Sequence, residues 1–155
     1  NEKEFPLYPN WHFDIDLISV MFNKKSLSHF QGPESLKNRR VAWIKGYDFH
    51  PYFDDSITVF EIANRKSLLR MLKKDRIDYY LDARVDMDFA KEEYHPNDES
   101  LIVRDLLALK LYPAFSNSDK GIALAKIWDK RMAEISDTEK MKALFIRWEF
   151  EYPFH

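Results

Sequence analysis

The stretch RMLKKDRIDYYLDAR, residues 70–84, changes its apolar period in mid-run. Up to Arg76 it is basic and helix-like, continuing a face made by Leu68, Leu69 and Leu72. From Ile77 it becomes Ile77-Asp78-Tyr79-Tyr80-Leu81-Asp82, which reads as a strand. No Gly or Pro separates the two. The strand also ends on a carboxylate with no visible partner, and that calls for a reason.

The same alternation runs through the middle of the chain. RRVAWIKG (39–46) is a short apolar run closed by one of only three glycines, the pattern of a buried parallel strand. YDFHPYFDD (47–55) is aromatic and turn-like, and SITVFEIA (56–63) is a second β-branched run. Asn64 caps a helix predicted to run to about Arg76, and RVDMDFAKEEY (84–94) is the next helix. WHFDIDLISVMF (11–22) is a strand, followed by a turn-rich connection in which Pro33 opens a short helix. HPNDES (95–100) breaks the chain, and LIVRDLLALKLYPAF (101–115) is extended as far as Pro113. The tail holds two helices, with Asp119 and Asp137 as expected caps and Leu124, Trp128, Met132 and Ile135 on one stripe. Strands alternating with helices, then a helical pair, predict an α/β fold with a mainly parallel open sheet.

In a sheet of that kind ligands sit beyond the carboxyl ends of the strands. Two strands end on suggestive residues there: one on Lys45-Gly46-Tyr47-Asp48, the other on Asp82. If the strands are parallel, both ends open on a common rim, where a carboxylate has water or a ligand as its partner. The alternative for Asp82 is a capping role for the helix that follows. Placement of Gly46 and Asp82 at opposite ends of the sheet, or burial of Asp82 against an arginine or lysine of its own lobe, would leave that rim without a pocket.

Three stretches resemble the type 2 periplasmic solute-binding proteins of the polar amino acid transporter group. SLKNRRVAWIKGYDFHPYF is similar to the strand and glycine turn of that family. SLLRMLKKDRIDYYLDA is similar to its helix–strand segment, with Arg76, Asp78 and Asp82 matching and Asp75 standing where Gly is usual. LKLYPAFSNSDKGIALAKIWDKRMAEISDTEKMKALFIRW resembles its return strand and closing helices, and FPLYPNWHFDIDLISVMF its crossing between lobes. The resemblance implies a crossover over 1–8, a second lobe over 9–112, and a return segment with C-terminal helices over 113–155 that pack on a first lobe. It also implies that the N-terminal half-lobe is missing, so that a complementing fragment or a homo-oligomer would cover the apolar stripe of the tail; the alternative is that the two tail helices pack on each other and on the 101–115 strand.

By the same resemblance the chain binds a small polar solute for import, by closure of two lobes, without catalysis or cofactor. Its partners would be the solute and a membrane permease of the ABC type, in the periplasm, behind a signal peptide that does not stand at Asn1. An extracytoplasmic sensing domain of a membrane receptor is the alternative. In amino acid binders the carboxylate at the position of Asp82 receives the ligand's ammonium, and the turn at Gly46 offers backbone N–H groups to its carboxylate. Here Tyr47 and Asp48 replace the usual small hydroxyl residues. With Tyr80 and Trp11, they favour an amine or another cation, through charge pairing and cation–π attraction.

Composition narrows the other classes. The net charge is -2, from 24 basic and 26 acidic residues scattered along the chain, which leaves no footprint for nucleic acid. With Cys 0, thiol chemistry and cysteine-held zinc are excluded. Asp86, Asp88, Glu92, Glu93 and His95 read as a solvated helix face rather than a metal site. His12 and His50 have no catalytic partner at a telling spacing, and no phosphate loop or zinc-protease motif occurs.

Overall fold

Asp75 is what stops the helix. It takes a left-handed conformation (φ 52), where its short polar side chain is tolerated better than most. The N–H of Arg76 reaches back to the carbonyl of Met71, and that of Asp75 to Leu72, the two bonds of a Schellman cap. Lys25 grips the Asp75 carboxylate at 2.6 Å. A carboxylate residue thus supplies the turn that glycine usually makes, and the period can change with no glycine or proline present.

The computed structural model describes residues 6–95 and 97–154. The chain divides into a unit Leu17–Ala108 and a unit made of Asn1–Asp16 with Leu109–His155. The strands β1 (Asp14–Asn23) and β5 (Leu101–Leu111) each extend beyond the bounds of the first unit. The crossover read over 1–8 lies partly outside the described residues.

The remaining strands are β2 (Arg40–Ile44), β3 (Thr58–Ile62) and β4 (Tyr79–Ala83), in the order β3-β2-β4-β1-β5. β2 pairs in parallel with both β3 and β4, with Ala42 opposite Tyr80. β1 joins antiparallel to β4, with Ser19 opposite Asp82. The sheet is therefore open and mixed around a parallel centre. Asp78 fixes the register where β4 begins, accepting from the Arg40 backbone N–H and from its guanidinium at 2.8–3.1 Å.

Two helices, α1 (Arg65–Lys73) and α2 (Arg84–Tyr94), cover one face. There Leu68, Leu69, Leu72 and Met87 pack on Met21 and Tyr80 with almost no exposure. Alternate residues of the same strands fill the other face, where Phe22 stacks on Phe30 at 4.6 Å and Trp43 meets Phe49 edge-on at 5.7 Å. Being apolar on both faces is why β2 and β4 read as continuous runs.

In the second unit α3 (Asp119–Ile135) and α4 (Glu139–Arg147) carry the tail. Their caps are Ser118 and Thr138 rather than the expected Asp119 and Asp137; each hydroxyl accepts from the N–H three residues on, and the aspartate falls one place to either side. Gly121 is obligatory: a Cβ there would lie 1.9 Å from the Ser116 carbonyl oxygen. Of the expected stripe, Met132 is buried, Trp128 is half-buried, and Leu124 and Ile135 are exposed.

Candidate functional site

The parallel register sets Val41 opposite Tyr79 and Ala42 opposite Tyr80, so that β2 and β4 run out in the same direction, toward Ile44 and Asp82. The Gly46 turn and the start of α2 therefore leave the sheet at the same edge. β3, parallel to β2, hands the chain to α1 at that edge too. Gly46 holds φ 95, which L side chains rarely adopt, and the Tyr47 N–H closes the turn on the Ile44 carbonyl at 3.0 Å. The common rim expected from the sequence is present.

The unpaired carboxylate is not. Asp82 is fully buried, and Arg65, in the first turn of α1, donates to it through Nε at 2.8 Å and Nη2 at 3.3 Å. The Tyr80 hydroxyl donates to Asp82 Oδ2, and the Ala83 N–H to Oδ1 at 2.9 Å. Nη2 of Arg65 also donates to Asp86 at 2.6 Å and to the Tyr47 hydroxyl at 3.3 Å. The reading of Asp82 as a carboxylate left open for a ligand's ammonium is thus corrected. A buried charge needs a partner, and the chain brings its own. Asp82 does not cap α2 in the usual sense either: the cap residue is Ala83, with no side-chain bond.

The electrostatics follow from these contacts. Hydrogen bonding to Asp82 raises the Arg65 pKa further above its already high range. Burial, and then the Asp82 charge, push the Tyr80 phenol far above its usual range, so it stays a donor. Two carboxylates facing one guanidinium leave the cluster with one negative charge in excess.

The other expected residues divide. Gly46 and Asp48 are exposed in the turn, Tyr47 is half-buried against Arg65, and Tyr80 is buried beneath Asp82. Trp11 belongs to the other unit, where its N–H donates to Asp129 at 2.9 Å and its carbonyl accepts from the Trp128 indole at 2.8 Å. His12, in that unit as well, donates through Nε2 to the Pro153 carbonyl at 2.9 Å. Asp88 pairs with Arg84 along α2, and among the described residues no three His, Asp or Glu side chains gather to hold a metal ion. No helix among the described residues is long and apolar enough to cross a membrane.

Sequence reasoning missed Arg65. Its signal was there: a capped helix leaving a parallel strand must begin at the ligand edge, and Arg65 is its first residue. A cation at a helix N-terminus opposes the macrodipole, and so asks for a compensating anion nearby.

Compared with solved structures, the chain is similar to the GluR0 ligand-binding core in complex with L-glutamate (17% identity, TM-score 0.67, covering 95% of this chain and 65% of that one). It is also similar to a mutant of ArgBP from T. maritima (18%, TM-score 0.62, 95% and 63%). A third likeness is to an ABC uptake transporter substrate-binding protein from Streptococcus pneumoniae with bound histidine (14%, TM-score 0.62, 96% and 63%). The fold is that of a type 2 periplasmic binding protein lobe. At these identities the likeness is one of fold alone, and the chain spans under two thirds of the length of each. No protein-family description matches the sequence, nor does any curated protein.

Proposed function

We propose that Leu17–Ala108 is the ligand-binding lobe of a non-catalytic, extracytoplasmic solute-binding protein that delivers a small polar solute to an ABC-type permease. The observation that carries this is the gathering of Gly46, Tyr47, Arg65, Asp82 and Asp86 at the carboxyl edge of β2 and β4, the edge at which open α/β sheets take ligands. The solute is an amino acid or an amine. The residual negative charge of the cluster, with exposed Asp48 in the adjoining turn, favours a cationic head group, and proteins of the same fold have been seen with L-glutamate, L-arginine and histidine bound. Solute held at this edge stabilises closure by a second lobe, to which the 113–155 segment contributes its helices.

Isothermal calorimetry of the full-length gene product against amino acids, amines and sugars tests the reading. Binding of at least one amine or amino acid is expected, weakened about tenfold or more (about 1.4 kcal/mol) by Asp86→Asn combined with Tyr47→Phe, with the melting temperature kept within a few degrees. Failure of every amino acid and amine to bind would overturn it.

A further inference from the structure

We propose that the groove between α1 and α2 is an anion site, where Lys66, Arg70, Lys73 and Lys74 hold a phosphate group against Tyr94 and His95. The site stands apart from the solute-binding reading, since none of these residues is among those gathered at the rim.

From Arg65 to Lys74 the chain carries five cations and no carboxylate, although its net charge is -2. Lys66, Arg70 and Lys74 are exposed and recur every fourth residue, so they form one row about 12 Å long on the helix surface. Like charges in such a row repel and weaken the helix. The helix dipole favours Arg70 and Lys73 in the last turn, but it opposes Lys66 in the first. Among the described residues only Lys73 of these four forms an ion pair, with Asp98 at 2.7 Å.

A basic face that serves only solvation needs no concavity. This one borders a cavity of about 280 Å³, lined by Lys66, Arg70, Lys73 and Lys74 from α1 and its C-cap and by Tyr94 and His95 from α2 and its C-cap, with no carboxylate in the lining. Its walls are largely apolar, and Lys66 Nζ lies 5.8 Å from the centre of the Tyr94 ring. Apolar walls ringed by one sign of charge focus the field on an anion. Burial, and then the Lys73 charge, hold the His95 imidazole below its usual range, so near pH 7 it offers a polar nitrogen and no further charge. Two carboxylates stand beside the cavity, Asp98 on Lys73 and Glu93 at the Tyr94 hydroxyl. Four cations against those two leave two positive charges in excess. A phosphate monoester carries about that much negative charge near pH 7, and lysine and arginine are its usual partners; a single carboxylate would balance only half. The volume is at the small end of ligand sites, which suits a phosphate group with little attached to it.

The test uses the full chain and inorganic pyrophosphate, by calorimetry at fixed ionic strength. Binding is expected, weakened at least about tenfold in Lys66→Gln/Arg70→Gln/Lys74→Gln and unchanged in Lys120→Gln/Lys126→Gln/Lys130→Gln, which removes three cations from α3. All six side chains are exposed, so neither variant disturbs a core. No binding to the unaltered chain, or equal loss in both variants, overturns the proposal, because equal loss is general charge attraction. Hexaglutamate that binds more tightly than pyrophosphate, and is lost in the first variant, also overturns it and assigns the face to an acidic partner protein. Sedimentation with phosphatidylglycerol vesicles separates the sources of the phosphate. Capture that the first variant loses and pyrophosphate competes away supports a lipid head group; pyrophosphate binding without capture supports a soluble phosphate ester.

Discussion

At the scale of single residues, the Arg65–Asp82 pair ties stability to the site. Breaking a buried pair by removing one partner leaves an uncompensated charge, at a cost of about 3–5 kcal/mol. Arg65→Met should therefore destabilise by an amount near that range in urea unfolding. Arg65→Met/Asp82→Asn should recover most of the loss, because the neutral amide oxygen still accepts from the Ala83 N–H while its NH2 donates to the Tyr80 hydroxyl oxygen. Equal instability of the single and double variants would show that the pair is not the cause. Asp82→Ala should likewise lower the melting temperature, as truncation of a solvent-exposed carboxylate would not, because it leaves the Arg65 guanidinium without its buried partner. Gly46→Ala should cost about 1 kcal/mol or more, because φ 95 is strained for any residue with a Cβ even though open space surrounds the position.

At the scale of elements, caps and turns decide where the chain changes direction. The Asn64 side chain accepts from the Ser67 N–H at 2.9 Å, and Asn64→Ala should lower stability by about 1 kcal/mol. It should also loosen the helix start that aims Arg65, which hydrogen exchange at Ser67 would report. The turn after α2 depends on Asp98, which accepts from Lys73 at 2.7 Å and from the Ser100 N–H at 2.9 Å. Its pKa is held well below the usual carboxylate range, first by the Lys73 hydrogen bond and then by those of Ser100. A depressed folded pKa gives stability that is fully present above about pH 4 and fades as the pH falls below it. The stability gap between the unaltered chain and Asp98→Asn should be largest near neutrality and shrink in acid; a gap independent of pH would refute this assignment. Strands, helices and the common rim were legible in the sequence because period and β-branching record burial on one or both faces. The partner of Asp82 was not, because a pair formed between a helix start and a strand end leaves no local pattern in either. The caps at Ser118 and Thr138 were misplaced by one residue, since serine, threonine and aspartate all accept from a helix N-terminus.

At the scale of the whole molecule, both units leave large apolar side chains open, Val85 and Phe89 of α2 in the sheet unit and several in the unit built from the two ends of the chain. Ile146 is 76% and Trp148 65% exposed, with Ile127 and Phe150 also on the surface. Apolar surface of that extent marks an interface or an association hazard, in keeping with a complementing segment or a second copy as its cover. Sedimentation should show self-association of this chain that weakens with Ile146→Lys/Trp148→Lys while the melting temperature holds. A monomer at all concentrations would set that expectation aside. The comparisons bear on the same scale: the fold is shared over nearly the whole chain, yet the chain covers under two thirds of each of the three structures named above.

The central claim is that the edge shared by Gly46 and Asp82 is where a solute binds. Amide chemical shifts of the labelled chain, followed during titration with amino acids and amines, test it most directly. A solute that moves the resonances of Gly46, Tyr47, Arg65 and Ala83 together is the predicted result. Shifts confined to α3 and α4, or none with any amine or amino acid, would contradict it.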